Sequence, residues 1–258
     1  MIEVKGVSKR YGELSALKNM NWSIKEGEWW GIIGPNGSGK STLLQLISGV
    51  DKITSGELKI RGRHVSDYSR RELSQMLAVL QQDGLPAINY PVRDIVEMGR
   101  FPFQDWIGRD KGKNATTIVA DIMNRLQLID LGDRPLDELS GGQRQRVALG
   151  KVMAQEPQIL LLDEPTTYLD IYHQLQFMEL VANWRQETGI TVIAVLHDLN
   201  LAAQFCDKLL VLQEGEVVGI GTPDEILTED NIRLVYEVDP TVVQHPINGV
   251  PQILLTRH

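Results

Sequence analysis

Cysteine occurs once in these 258 residues, as Cys206. No internal disulfide can form, so the chain must be held by burial, which suits a reducing compartment. Basic residues are also short. Lys and Arg number 26 against 34 Asp and Glu, a formal charge of −8. A broad nucleic-acid footprint needs the opposite balance, so no nucleic-acid partner is expected beyond what a local basic patch could hold. No apolar run approaches the ~18 residues of a membrane span. The opening MIEVKGVSKRYGEL lacks the apolar core of a secretory signal, and no leader is expected there. Any membrane role should come through a partner chain. Internal repeats and low-complexity segments are absent.

What is present is an ordinary globular mix, 42% hydrophobic and 23% charged, long enough for one large domain or a domain with a subdomain. IEVKGVSK and NWSIKEGEWWGIIG read as strands and turns, followed by a helical run STLLQLISG. SGELKIRGR reads as a hairpin strand and QMLAVLQQ as another strand. From Pro86 to about Gly150, YPVRDIVEMGR, ATTIVADIMNRLQLI and SGGQRQRVALGKVMAQ have helical spacing. Strands return in QILLLDEP, GITVIAVLHD and DKLLVLQEG, with a helix in IYHQLQFMELVANWRQETG. The pattern predicts an α/β core with a helical insertion over about 86–150. TPDE at 222–225 has a Thr cap, Pro at the first helical position and Glu two residues on, and should open a short helix.

Residues 34–42 read GPNGSGKST, which is G-x-x-x-x-G-K-[ST] after an apolar strand and before a helix. Gly34, Pro35, Asn36, Gly37, Ser38 and Gly39 let the backbone curl so that successive N–H groups point inward on a phosphate. Ser41 and Thr42 open the helix, whose dipole adds to that field. Lys40 should reach the β- and γ-phosphates, and the Ser41 hydroxyl should ligate Mg²⁺. A plain Gly-rich turn would not carry both flanks.

ILLLDEP puts two acids at the carboxyl end of a buried strand, where α/β sheets bind ligands. Adjacent acids on extended chain point to opposite sides and should have different tasks. Asp163 is assigned to Mg²⁺, by direct contact or one step removed. Glu164 is assigned to orienting and deprotonating the attacking water. VIAVLHD ends a second strand in His197. A lone histidine is more often a packing residue, but the strand end makes it a candidate γ-phosphate sensor. Gln82 ends a strand where the helical insertion begins and could report nucleotide state to it.

LSGGQRQR raises a separate question: why two glycines open a helix that better formers could start. Ser140 and Gln143 have capping-box spacing, and Gly141 and Gly142 leave first-turn N–H groups open to an anion.

GPNGSGKST, LSGGQRQR, LLLDEP, TTYLD and VLHD, in that order, resemble the nucleotide-binding subunit of ATP-binding-cassette transporters, across nearly the whole chain. The resemblance implies a P-loop NTPase (RecA-like) α/β core with an antiparallel β subdomain and an inserted α-helical subdomain. Residues 1–85 and 151–220 would form the core with the β subdomain. Residues 86–150 would form the helical subdomain carrying the signature, and 221–258 a C-terminal extension. It implies that Tyr11 stacks on adenine, that Ser140 to Gln143 are the signature, and that Asp170 is the D-loop acid. Gln82 would be the Q-loop residue, also serving Mg²⁺ with Ser41 and Asp163. Because the run is LQQ, Gln81 is an alternative to Gln82. His197 would be the switch histidine. ATP and Mg²⁺ are the implied cofactors. The glycines of LSGGQRQR would then serve an ATP held by a second copy, in a head-to-tail homodimer that closes on ATP and opens on hydrolysis.

YPVRDIVEMGRFPF, EPTTYLDIYHQ and VVQHPINGVPQIL further resemble importers of iron–siderophore complexes, haem or cobalamin. The implied partners are polytopic permease subunits and, indirectly, an external binding protein. The implied place is the cytoplasmic face of the cell membrane. A soluble cassette ATPase or an exporter subunit is the alternative. Tyr90, Phe101, Phe103 and Trp106 are candidates to line a groove for a permease helix, with Arg100 and Gln104 beside them. Trp29 and Trp30 read as packing on opposite faces of one strand.

Overall fold

The computed structural model describes residues 1–255 except 83, 84, 87, 106, 108 and 111–113. Strands β1 (Ile2–Tyr11) and β2 (Leu14–Ile24) pair antiparallel, and β3 (Trp29–Ile33) follows after the turn at Gly27. Helix α1 (Lys40–Ile47) opens directly from the glycine-rich loop. Strands β4 (Ser55–Ile60) and β5 (Arg63–His64) complete a four-stranded antiparallel sheet in the order β2-β1-β4-β5.

Helix α2 (Arg70–Met76) and strand β6 (Leu77–Leu80) come next. Sequence spacing reads the start of QMLAVLQQ as strand. Gln75 and Met76 instead end α2, which opens on a capping box between Ser69 and Glu72. The S-x-x-E signal for it lies in plain sight. Between β6 and the next strand lie α3 (Val92–Glu97), α4 (Ala115–Arg125) and α5 (Gly141–Ala154). Helix α5 continues past residue 150 to Ala154.

Strand β7 (Ile159–Asp163), α6 (Ile171–Thr188), β8 (Thr191–Val195), α7 (Leu199–Phe205), β9 (Lys208–Gln213) and β10 (Glu216–Gly221) rebuild the α/β core. The chain closes with α8 (Pro223–Ile226), α9 (Glu229–Tyr236) and a hairpin of β11 (Pro240–Gln244) and β12 (Pro251–Leu255). Helix α8 has the Thr222–Glu225 capping box that TPDE predicts. No helix among the described residues is long and apolar enough to cross a membrane.

The central sheet has the order β10-β9-β3-β8-β7-β6, parallel except for β10. Strands β3, β7 and β8 are almost wholly apolar because both faces are covered, whereas the edge strand β10 is partly exposed. Trp29, Ile33, Leu160, Leu162, Val192 and Ala194 face a core shared with α3 to α7. Trp30, Ile32, Leu161, Ile193 and Val195 face the core shared with α1 and the antiparallel sheet. The adjacent tryptophans thus pack on opposite sides, 1% and 2% exposed. Register sets the site. Ile32 lies beside Val195 and Val195 beside Asp163, so the ends of β3, β8 and β7 form one row.

Candidate active site

The row of strand ends delivers three loops to one place. After β3 the chain turns at Gly34, with φ 144°; a Cβ there would stand 2.0 Å from the Leu212 carbonyl oxygen. Only glycine fits both the angle and the approach. The loop then curls to α1. Lys40 is buried, and its Nζ donates to the carbonyls of Gly34 and Pro35, each at 2.8 Å. Burial pushes its pKa down, and the Glu164 and Asp163 charges oppose that shift.

The two acids after Leu162 find different partners. Asp163 accepts from the Ser41 hydroxyl at 3.2 Å. Burial pushes the Asp163 carboxyl up, and the neighbouring Glu164 adds to this against the Ser41 bond, Lys40 and His197. Glu164 sits at φ 50°, a left-handed position unusual for a side-chain-bearing residue. The two carboxylates take different partners. Oε2 accepts from Gln82 Nε2 at 2.7 Å and from Thr167 Oγ1 at 3.2 Å. Oε1 lies 2.6 Å from His197 Nε2. Of the two glutamines in LQQ, Gln82 is therefore the one bonded to Glu164. The Glu164 side chain is 15% exposed and that of His197 41%, so one carboxylate joins β6, β7 and β8 at the rim of the cleft.

That cleft, of 1040 Å³, is lined by Tyr11, Asn36, Gly37, Gly39, Lys40, Ser41, Thr42, Gln82, Glu164 and His197 among the residues singled out from sequence. Ser38 is buried behind the loop. Sequence reasoning missed Thr166, Thr167 and Gln174, which also line the cleft. Thr167 follows DEP too closely to carry a signal of its own.

Ser140, Gly142, Gln143 and Asp170 do not line this cleft. Ser140 caps α5 and forms the reciprocal box with Gln143, at 3.3 and 2.9 Å. Asp170 caps α6 by accepting from the His173 N–H at 2.9 Å, and its Oδ1 lies 2.8 Å from His173 Nδ1. The two helix starts touch. A Cβ on Gly142 would stand 2.4 Å from His173 Cδ2. Gly141 lines a smaller adjoining cleft of 220 Å³ with Gln82, Glu164 and Tyr168. Around these helix starts Tyr168, Ile171 and Tyr172 are 78%, 77% and 69% exposed.

Near α3, Tyr90 and Phe101 are exposed, whereas Arg100 is only 3% exposed. It bonds Asp110 at 2.8 Å, the Ala154 carbonyl at 2.9 Å and Glu156 at 2.5 Å, and stacks on Phe103. The sequence places Arg100 beside a permease groove; the fold makes it an interior clamp instead. Trp106 lies outside the described residues.

A phosphate loop at the end of β3, with a carboxylate at the end of β7 across the intervening β8, defines a P-loop nucleoside triphosphatase. Residues 17–167 match the family described as ABC transporter. The chain belongs to that family as an ATP-binding subunit, in the class of ATPases that couple ATP hydrolysis to transport. It is 36% identical over 254 residues to YvrA of Bacillus subtilis, covering 98% of this chain and 58% of YvrA. It is 37% identical over 244 residues to the ferric enterobactin transport ATP-binding protein FepC of Escherichia coli, covering 95% of this chain and 90% of FepC. Proteins named for petrobactin, hemin and cobalamin import are 36–39% identical. The dimeric ABC transporter cassette MJ0796 superposes with a TM-score of 0.74 at 34% identity, covering 86% of this chain and 98% of that one.

Proposed function

We propose that this chain powers an importer of iron–siderophore complexes, haem or cobalamin, hydrolysing ATP in sites completed by a second copy. The cargo class rests on the relatives named for ferric enterobactin, petrobactin, hemin and cobalamin. The hydrolytic role rests on one observation: the Glu164 carboxylate bonded to both Gln82 and His197 beside the phosphate loop.

In this reading the loop N–H groups and Lys40 bind the ATP phosphates, and Tyr11 stacks on adenine. The site chemistry suits Mg²⁺, because Ser41 Oγ and Asp163 Oδ1 are hard oxygen donors 3.2 Å apart. With Gln82 Nε2 donated to Glu164, the amide oxygen of Gln82 is left as a third donor. When bound, Mg²⁺ supplies charge neutralisation across the β- and γ-phosphates. Glu164 takes a proton from water as the water oxygen bonds to the γ-phosphorus and the bond to the β–γ bridging oxygen breaks, leaving ADP and phosphate. His197 holds Glu164 through Nε2, and once that contact is released the same nitrogen would donate to the γ-phosphate.

Ser140 to Gln143 and Asp170 lie outside the cleft, which is the reason for assigning them to a partner copy's ATP. The open N–H groups of the α5 start would meet its γ-phosphate. The exposed Tyr168, Ile171 and Tyr172 would be covered by that partner. Permease subunits at the cytoplasmic face of the membrane would dock beside the α3 region, where Tyr90 and Phe101 are exposed.

The test is Glu164→Gln. It should keep ATP affinity and slow turnover by roughly 10²–10⁴, the weight of a positioned general base. Turnover near the parental rate would show that Glu164 is not the base. Copurification with a permease, and ATPase stimulation by its chelate-loaded binding protein, would test the cargo class.

A further inference from the structure

Tyr11 ends β1, lines the cleft and is 43% exposed as a residue, and what holds its ring lies far away in the chain. Its hydroxyl donates to Asp51 Oδ2 at 2.5 Å. The other oxygen of Asp51 accepts from Lys9 Nζ at 2.6 Å and from the Lys52 N–H at 2.7 Å. Lys9 is buried and also donates to the Lys52 carbonyl at 2.8 Å. Its ammonium lies 4.6 Å from the centroid of the Tyr11 ring. Lys9, Tyr11 and the Lys52 N–H hold the Asp51 carboxyl at about 2, so it stays ionised at any working pH. The N–H groups of Val50 and Asp51 both donate to the Gln45 carbonyl, at 3.0 and 3.2 Å. Asp51 is thereby tied to α1, the helix that opens at Lys40.

Two consequences follow from this geometry. The ring cannot swing without breaking a charge-assisted bond, which is about twice as strong as a neutral one. One of its faces is already taken by the Lys9 cation, which leaves the other to a base.

We propose that Asp51, clamped by Lys9, is a positioning residue that presets Tyr11 as a one-sided stacking platform for a purine. This rests on the reading of Tyr11 as the adenine contact. A side chain ordered before binding spares the complex that ordering, which is worth a few-fold to about tenfold in affinity. The effect belongs to the base alone. Among the described residues Asp51 makes no hydrogen bond to the phosphate loop; the clamp reaches that loop only through Tyr11, whose hydroxyl also bonds Thr42, so binding of phosphate without a base should depend on Asp51 little.

The experiment measures ATPase kcat and KM for the parent, Tyr11→Ala, Tyr11→Phe, Asp51→Ala and the Tyr11→Phe/Asp51→Ala pair. Inhibition by Mg–tripolyphosphate serves as a probe that has phosphates and no base. Asp51→Ala and Tyr11→Phe should each raise the ATP KM by about 3- to 10-fold. The pair should do no more than either alone, and kcat and tripolyphosphate inhibition should hold. Asp51→Glu, which keeps the charge, should recover part of the loss. Unchanged KM in Tyr11→Ala would remove the adenine assignment itself, and the inference with it. A raised KM in Tyr11→Ala beside an unchanged one in Asp51→Ala would overturn the positioning role alone. So would additive losses in the pair, or a parallel loss of tripolyphosphate inhibition.

Discussion

At the scale of single residues, charges in this chain are set by what surrounds them. Glu28 is the clearest case away from the cleft. Burial acts to raise its carboxyl, but the Lys208 ammonium, the Lys25 N–H and the Trp30 indole N–H outweigh burial and hold it at about 2, below the ordinary 4.5. The unfolded chain binds that proton more tightly than the folded one. Glu28 therefore contributes its full stability above pH 4.5 and loses it as pH falls toward 2. Lys208 is 38% exposed, so solvent screening trims the effect. Glu28→Gln should cost about 2 kcal/mol at pH 7 and flatten the stability profile between pH 4.5 and 2. Urea titrations across that range would read it; an unchanged slope would mean that Glu28 is not held as described. Glu164 is a different case. It sits at a left-handed φ of 50°, and the two neighbours in sequence take different partners, Asp163 with Ser41 and Glu164 with Gln82 and His197.

At the scale of elements, the contact between the starts of α5 and α6 is the joint to test. Ala gains roughly 1 kcal/mol over Gly in a helix, so Gly142→Ala would stabilise α5 if space allowed. The space is occupied by the His173 ring, which Asp170 holds in place. Overpacking of this kind costs about 1–3 kcal/mol, and the strain should win. Gly142→Ala is expected to lower the melting temperature, and adding His173→Ala should restore most of the loss. Failure of the second change to restore stability would show that His173 is not the obstacle. Sequence spacing carries the strands of the central sheet, the phosphate loop and the capping boxes at Ser140 and Thr222, because each is written within a few consecutive residues. It does not carry the joint at Gly142, the burial of Arg100 or the Lys9–Asp51–Tyr11 clamp. Those depend on partners about 30 to 56 residues apart or on opposite sides of a loop, as with Asp51 and Tyr11, 40 apart, and Arg100 and Glu156, 56 apart. Helix α2 carries a local signal, Ser69 with Glu72, that the apolar run after it outweighs, and α7 and α9 carry caps at Asp198 and Thr228 that spacing alone does not bring out.

At the scale of the molecule, the phosphate loop and the start of α5 do not share a cleft, although Gly141 lines an adjoining one with Gln82 and Glu164. The phosphate loop and Glu164 share one cleft, and the capped start of α5 lies outside it beside exposed Tyr168, Ile171 and Tyr172. A second copy placed head to tail would bring each α5 start to the other's phosphate loop. The most direct measurement of that arrangement uses two chains, each carrying Glu164→Gln to retain ATP. One bears Asn36→Cys and the other Ser140→Cys, both at exposed positions. Cys206 is buried, and burial pushes its thiol up, so it stays silent. A bond between residues 36 and 140 can then form only across chains. Mixed and oxidised with a short crosslinker, the pair should yield a 36–140 heterodimer that rises with ATP and is absent without nucleotide. Two chains that both bind ATP and give no more heterodimer than the nucleotide-free control would contradict a shared site.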